Sequence, residues 1–203
     1  MKHQRIAVMG GTFDPIHYGH LVTAEAVMYE FQTDQVLFIP SGQPPHKTQR
    51  EVSPANHRYL MTLLATETNP RFFCSRIEIE RTGYTYTVDT IRQLKKLYPQ
   101  AEIYFITGAD AFSEILTWKN PAELLNSCHL VAASRPGYSR TASAAMQQVL
   151  QEHQKTVHIL EVPALSISSS DIRLRVMQGQ PIKYLLPEIV ENYIYKHGLY
   201  CRT

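Results

Sequence analysis

Strand and helix patterns alternate along this chain from one end to the other, and that alternation restricts its fold more than any other feature. Residues 5–9 form a short apolar run ending in Gly10 and Gly11, the pattern of a strand buried on both faces of a parallel sheet. Between Tyr18 and Phe31 the apolar residues Leu21, Ala24, Val27, Met28 and Phe31 recur at helical spacing. Residues 36–39 read as a second strand stopped by Pro40, 56–65 as a helix and 72–79 as a strand. Residues 87–97 repeat the helical spacing through Val88, Ile91, Leu94 and Leu97. Strands over 103–106, 130–133 and 157–162 follow, with helices predicted over 141–151, 170–177 and 187–197. Such alternation builds an α/β protein whose parallel sheet is covered by helices on both faces. Connections are short and nothing has the composition of a linker, so residues 1–203 are read as a single domain. In such sheets small ligands bind beyond the carboxyl ends of the strands, near the switch in strand order. Chemistry is therefore sought in the loops after Met9, Ile39, Ile106, Ala133 and Val162.

Composition removes several function classes. Hydrophobic residues are 44% and charged residues 19%, ordinary for a globular domain, which excludes a mainly disordered or collagen-like chain. Twenty Lys and Arg against eighteen Asp and Glu leave a formal charge of +2. The domain-wide basic excess of a nucleic-acid-binding protein is missing, so no nucleic-acid partner is expected. Cys74, Cys128 and Cys201 are odd in number and far apart, and they read as small buried hydrophobes in a reducing compartment. The apolar start at Ile6 is cut short by Gly10, Gly11 and Asp14, too soon for the core of a signal peptide. No apolar run approaches a membrane span. The expectation is a cytoplasmic protein with no membrane partner; assembly into a homo-oligomer is left open.

The loop after the first strand reads Gly10-Gly11-Thr12-Phe13-Asp14-Pro15-Ile16-His17-Tyr18-Gly19-His20. It lacks G-x-G-x-x-G, yet paired glycines at a strand end admit a ligand close to the backbone, and the following helix start offers unpaired N–H groups. His17 and His20, three apart, can face one spot, and Gly19 leaves room for a base or ribose against the backbone. Histidines at a helix start also act as caps or sit satisfied in a core, and a pair at this spacing can chelate a metal. No third ligand stands at a suitable spacing and H-E-x-x-H is absent, which disfavours the metal. Taken together, the diglycine turn, the glycine and the two histidines point to phosphate.

A second anion-suited segment follows the last strand. Ser166-Ile167-Ser168-Ser169-Ser170-Asp171-Ile172-Arg173 reads as a capped helix start with a charged fork one turn in. Alone it is a plain N-cap with a solvated arginine. With His17 and His20 waiting at another strand end, convergence of both on one triphosphate is the better account.

The intervening loops are less specific. Pro40 to Thr48 ends in Lys47-Thr48 like a P-loop, but His46 stands where that motif needs glycine. Pro44 and Pro45 stiffen the loop and present His46 and Lys47 outward. Thr82 to Thr90 reads as a turn into a helix cap. Gly108-Ala109-Asp110 places an acid where it could meet ribose hydroxyls, hold a metal or simply cap a helix. Trp118, the single tryptophan, stands beside Lys119; such a residue packs a core or rim, or stacks on a flat ring.

His17-Tyr18-Gly19-His20 after its glycine-rich turn resembles the H-x-G-H signature of the nucleotidyltransferase superfamily, which includes class I aminoacyl-tRNA synthetases. GGTFDPIHYGH, PPHK, YTVDT, FITGAD followed by TWKNPAELL, Arg135-Pro136-Gly137, ISSSDIR and the closing stretch 184–200 together resemble the bacterial nicotinate-nucleotide adenylyltransferases, over essentially the whole chain. That family often has Thr where Ser170 stands, a difference that keeps the hydroxyl. The resemblance implies a Rossmann-like doubly wound parallel sheet. It also implies transfer of the adenylyl group of ATP to nicotinate mononucleotide, giving deamido-NAD and pyrophosphate in NAD biosynthesis. His17, His20, Lys47 and Arg173 would stabilise charge on the reacting phosphates. ATP would be met by Gly10, Gly11, Thr12, Phe13 and His20, by Gly108, Asp110 and Arg135, and by Ile167, Ser168, Ser169, Ser170 and Arg173. His46, Lys47, Thr85, Thr87, Trp118 and Lys119 would bind nicotinate mononucleotide, with Trp118 stacked on the pyridine and the N–H groups of Thr87 and Lys119 on its carboxylate. Mg2+ is expected to arrive with ATP, held mostly by phosphate and water oxygens instead of a protein cage.

Two alternatives stay beside this reading. Phosphopantetheine adenylyltransferases and cytidylyltransferases share the superfamily signatures, but they are generally shorter, and the former usually carry Thr where His17 stands. An aminoacyl-tRNA synthetase is disfavoured by length, by missing tRNA-binding domains and by the missing lysine-rich second motif. A nucleotide-sensing module without turnover would keep the fold, though both phosphate signatures are intact here.

Overall fold

In the computed structural model, which describes residues 4–44, 52–108, 111–112, 114–134, 144–153, 156–163 and 166–201, the apolar runs become strands of one sheet. They are β1 (Arg5–Gly11), β2 (Gln35–Pro40), β3 (Phe72–Cys74), β4 (Glu102–Gly108), β5 (His129–Ser134) and β6 (Val157–Glu161). Among them run the helices α1 (Tyr18–Glu30), α2 (Ala55–Thr66), α3 (Thr87–Leu97), α4 (Pro121–Ser127), α5 (Ala144–Glu152), α6 (Ser169–Met177) and α7 (Glu188–Lys196). All pairings are parallel, in the order β3-β2-β1-β4-β5-β6. Met9 at the centre lies opposite Phe38 on one side and Ile106 on the other. The chain builds outward from β1 through β2 and β3, then crosses back to β4, so the carboxyl ends of β1 and β4 flank the switch point.

Alternation of side chains along each strand splits the core in two. Ala7, Met9, Phe38 and Ile106 pack with Val27 of α1, Met61 of α2, Ile172 of α6 and Val190 of α7. Ile6, Val8, Leu37 and Phe105 pack on the opposite face with Ile91 of α3 and Leu124 of α4. Helices on both faces leave the central strands no polar side, which is why they read as continuous apolar runs. This is the expected doubly wound, Rossmann-like α/β sheet.

Several expectations need correction. The strand read over 72–79 stops at Cys74, because Glu80 N–H bonds the Arg76 carbonyl at 3.0 Å and Arg81 N–H the Glu78 carbonyl at 3.3 Å. The alternation of Ile77, Glu78 and Ile79 is wound into a turn that buries Glu78. Helix α4 was not anticipated, although Pro121 at its first position, followed by the buried pair Leu124 and Leu125, is a helix-start pattern. Leu97, assigned to the apolar stripe, is 62% exposed at the end of α3. As for the cysteines, Cys74 and Cys128 are half-buried, whereas Cys201 is exposed and not core. No helix among the described residues is long and apolar enough to cross a membrane.

Candidate active site

Past Gly11 the chain turns sharply at Phe13, whose φ of 50° is left-handed and whose ring is buried. That ring folds back so closely that a Cβ at Gly11 would come within 3.0 Å of Phe13 Cζ. Glycine at 11 thus serves the turn as well as the opening above it. Phe13 in turn supports His20, edge-on, with ring centroids 5.0 Å apart.

His17 is the extended N-cap of α1, and its N–H donates to His20 Nδ1 at 3.2 Å. The two imidazoles stack with centroids 3.8 Å apart and planes 29° from parallel, as their spacing predicts. Gly19 is needed for this arrangement, since a Cβ there would press on the His17 ring at 3.0 Å. Because His20 Nδ1 accepts, the neutral ring carries its proton on Nε2. Burial, and then repulsion from His17, hold the His20 imidazole well below its ordinary range. That direction favours the neutral imidazole, which leaves its Nε2–H as a donor.

The second anion-suited segment docks directly on this loop. Ser168 caps α6, its Oγ accepting from Asp171 N–H at 3.1 Å, and Ser169 Oγ donates to the Pro15 carbonyl at 2.8 Å. Arg173 Nη1 donates to the Asp14 carbonyl at 2.7 Å, and Nη2 lies 3.4 Å from Ser170 Oγ. Two helix starts, α1 and α6, are therefore stapled together by hydrogen bonds that join the first loop to the last motif.

Across the cleft stands the start of α3. Thr85 N–H donates to the Gln43 carbonyl at 3.0 Å, joining the loop after β2 to the stretch before Thr87. Trp118 packs edge-on against Phe105, with centroids 6.2 Å apart. Lys119 reaches back, its Nζ 2.9 Å from Asp89 Oδ2 and 4.4 Å from the centre of the Tyr86 ring. The Lys119 ammonium is thus held toward α3, while the residue itself lines the cleft.

These parts line one cleft of about 680 Å³, within the usual range for a small-molecule site. On its wall are Gly10, Gly11, Thr12, His17, His20, Gly108, Ile167, Ser168 and Ser169, together with Thr85, Thr87, Trp118 and Lys119. Phe13, Ser170 and Arg173 are not on that wall; Phe13 is beneath it, and Arg173 grips Asp14. His46, Lys47, Asp110 and Arg135, with Pro45, Ala109, Pro136 and Gly137, lie outside the described residues. No three His, Cys, Asp or Glu side chains among the described residues gather as a metal group.

Sequence reading missed three buried polar groups. Glu78 also lines the cleft, its Oε1 accepting from Thr90 Oγ1 at 2.6 Å. Burial raises its carboxyl above the ordinary range, opposed by Thr90, Thr85, Arg81 and the Gly42 backbone. Asp14 is 3% exposed and accepts from Ser53 N–H at 3.0 Å and Tyr200 OH at 2.6 Å. Arg58 is 1% exposed on the core side of α2, one turn before Met61 and Thr62. Its position on the apolar face of that helix was the signal available in the sequence.

The Cytidylyltransferase-like family matches residues 8–175 of this chain. A protein of Thermoanaerobacter sp. (strain X514) named probable nicotinate-nucleotide adenylyltransferase is 57% identical over 201 residues, covering 98% of this chain and 95% of that one. A protein of the same name from Moorella thermoacetica (strain ATCC 39073 / JCM 9320) is 56% identical over 198 residues, with 97% and 91% covered. The Plasmodium falciparum nicotinic acid mononucleotide adenylyltransferase complexed with NaAD has the same fold, with a TM-score of 0.78 over 98% of both chains at 22% identity. With relatives this similar along nearly its whole length, the chain belongs to the nicotinate-nucleotide adenylyltransferases.

Proposed function

We propose that this chain transfers the adenylyl group of ATP to nicotinate mononucleotide, forming nicotinate adenine dinucleotide and pyrophosphate in NAD biosynthesis. The observation that carries the reading is the meeting of two helix starts, α1 and α6, on one side of a cleft whose other side holds Trp118 and the start of α3. The first side suits a polyphosphate and the second a flat ring with an anionic substituent. An oxygen of the mononucleotide phosphate attacks the α-phosphorus of ATP. The bond from that phosphorus to the β-bridging oxygen breaks, and pyrophosphate leaves with the electron pair. Nucleophile and leaving group are already competent, so the protein's part is alignment and stabilisation of charge.

His20 supplies its Nε2–H to a phosphate oxygen, with His17 beside it. The first-turn N–H groups of α6 add a second set of donors. Arg173, which lies behind the cleft wall, spends two of its five N–H donors on Asp14 and Ser170; the resemblance gives the remaining donors to phosphate. Trp118 stacks on the pyridine, and the N–H groups of Thr87 and Lys119 receive its carboxylate. The resemblance adds Lys47 at the reacting phosphates or the mononucleotide phosphate, His46 in the mononucleotide site, and Asp110 and Arg135 at ATP. Mg2+ enters as part of the substrate, bound to the triphosphate. The setting is cytoplasmic, where both nucleotides are made and used.

A substrate panel tests the reaction. ATP is offered with nicotinate mononucleotide, nicotinamide mononucleotide or phosphopantetheine, and products are identified by mass. Nicotinate adenine dinucleotide and pyrophosphate in equal amounts are expected from the first mixture. Turnover of phosphopantetheine alone, or nucleotide binding without pyrophosphate release, would replace this reading by one of its rivals.

A further inference from the structure

Arg58 directs its guanidinium at main-chain oxygens from three separate segments. Nε donates to the Ser53 carbonyl at 2.9 Å, Nη1 to the Thr12 carbonyl at 2.8 Å and Nη2 to the Gly42 carbonyl at 3.1 Å. Thr12 belongs to the loop that ends at His17 and leads into α1, which carries His20. Gly42 belongs to the loop after β2 that is joined to the start of α3 through Gln43 and Thr85. Gly42 also packs so tightly that a Cβ there would collide with the Glu78 carbonyl oxygen. One buried side chain thereby ties the first loop, which lines the cleft at Thr12, to the loop after β2.

That placement bears on the chemistry because direct transfer depends on distance. Reacting atoms must be held in line about 3–3.5 Å apart, and displacement of the order of 1 Å costs about a hundredfold in rate. We propose that Arg58 is a positioning residue that aligns the two nucleotides by locking the first loop to the loop after β2, an inference that rests on the adenylyl-transfer reading. Its planar fork suits the task. A guanidinium projects five donors in fixed directions, whereas an ammonium on a flexible stem cannot hold three carbonyls at set angles. Arg58 lies outside the lining of the cleft, so its loss changes how the reactants face each other more than how tightly each is held.

Two variants test this. Arg58→Lys keeps the charge and most of the volume; kcat is expected to fall about 10- to 100-fold, with both KM values within about threefold of wild type. Arg58→Ala opens a space for a small cation, and millimolar guanidinium is expected to restore part of kcat where ammonium at the same concentration does not. The inference is overturned by any one of three results: an Arg58→Lys kcat within twofold of wild type, a loss confined to the KM of one substrate, or no advantage of guanidinium over ammonium. If Arg58→Ala does not fold, Arg58→Lys decides alone through the division between kcat and KM. Wild-type pyrophosphate release in the same assay tests the reaction separately, so failure of the chemistry is not confused with failure of the Arg58 role.

Discussion

Tyr200 donates its hydroxyl to Asp14 Oδ1 at 2.6 Å, so the closing segment of the chain clasps the loop that follows the first strand. Asp14 is also held at Oδ2 by Ser53 N–H and at its carbonyl by Arg173. Burial and the neighbouring Asp14 charge push the Tyr200 phenol above its ordinary range, which keeps it a donor at any physiological pH. Tyr200→Phe removes that donor from a buried carboxylate, at an expected cost of about 1.5–3 kcal/mol. The result should be a lower urea midpoint at unchanged m. A variant as stable as wild type would show that the clasp contributes nothing.

His20→Ala is expected to lower kcat about 10²- to 10³-fold, the usual effect of losing one pre-aligned donor to a charge-bearing oxygen. KM for ATP should move much less, because the bond strengthens as charge builds in transfer. The substitution also removes the acceptor for His17 N–H, costing about 1 kcal/mol of helix capping, so kinetics are compared well below the melting temperature. Steady-state kinetics in both substrates separate the cases. A rise in KM at constant kcat would make His20 a binding residue only.

Trp118→Ala addresses the other half of the cleft. Loss of a stacking partner worth about 1.5 kcal/mol corresponds to roughly a tenfold rise in KM for the mononucleotide. ATP affinity should stay close to wild type, since Trp118 packs on Phe105 beside Lys119, whose ammonium reaches α3. An acceptor KM left where it was would remove Trp118 from the site.

The sheet and the local geometry of the two helix starts were legible because each rests on a local pattern. Strands β1, β2 and β4 announced themselves as apolar runs ending at Gly11, Pro40 and Gly108, and the stacking of His17 on His20 follows from helical spacing. The Ser168 cap was equally local. What escaped was set by contacts between distant segments. Nothing around Asp14 says that Tyr200 or Ser53 will reach it, and Glu78 looked like one step of a strand until Arg76 to Arg81 closed into a turn. Arg58 breaks the apolar face of α2, which flags a buried charge but not the carbonyls it seeks.

The depressed titration of His20 gives stability a pH dependence of definite sign. In the unfolded chain the imidazole titrates near its ordinary value of about 6.5, and in the folded protein well below it. Between those values the unfolded chain binds more protons, so stability rises with pH through that window and is complete above about pH 6.5. On acidification below about 6.5, wild type should lose up to about 1.4 kcal/mol per pH unit from this group. Glu78 works in the opposite direction: its raised carboxyl contributes stability that declines as pH climbs above the unfolded carboxylate value. Both proteins share Glu78 when wild type is compared with His20→Asn, so their difference isolates the imidazole. Urea unfolding at intervals from pH 5 to 8 should therefore give a difference that is constant above about 6.5 and shifts against wild type below it. A constant difference across the whole range would mean that His20 is not desolvated, and its place as a neutral donor would fall with that result.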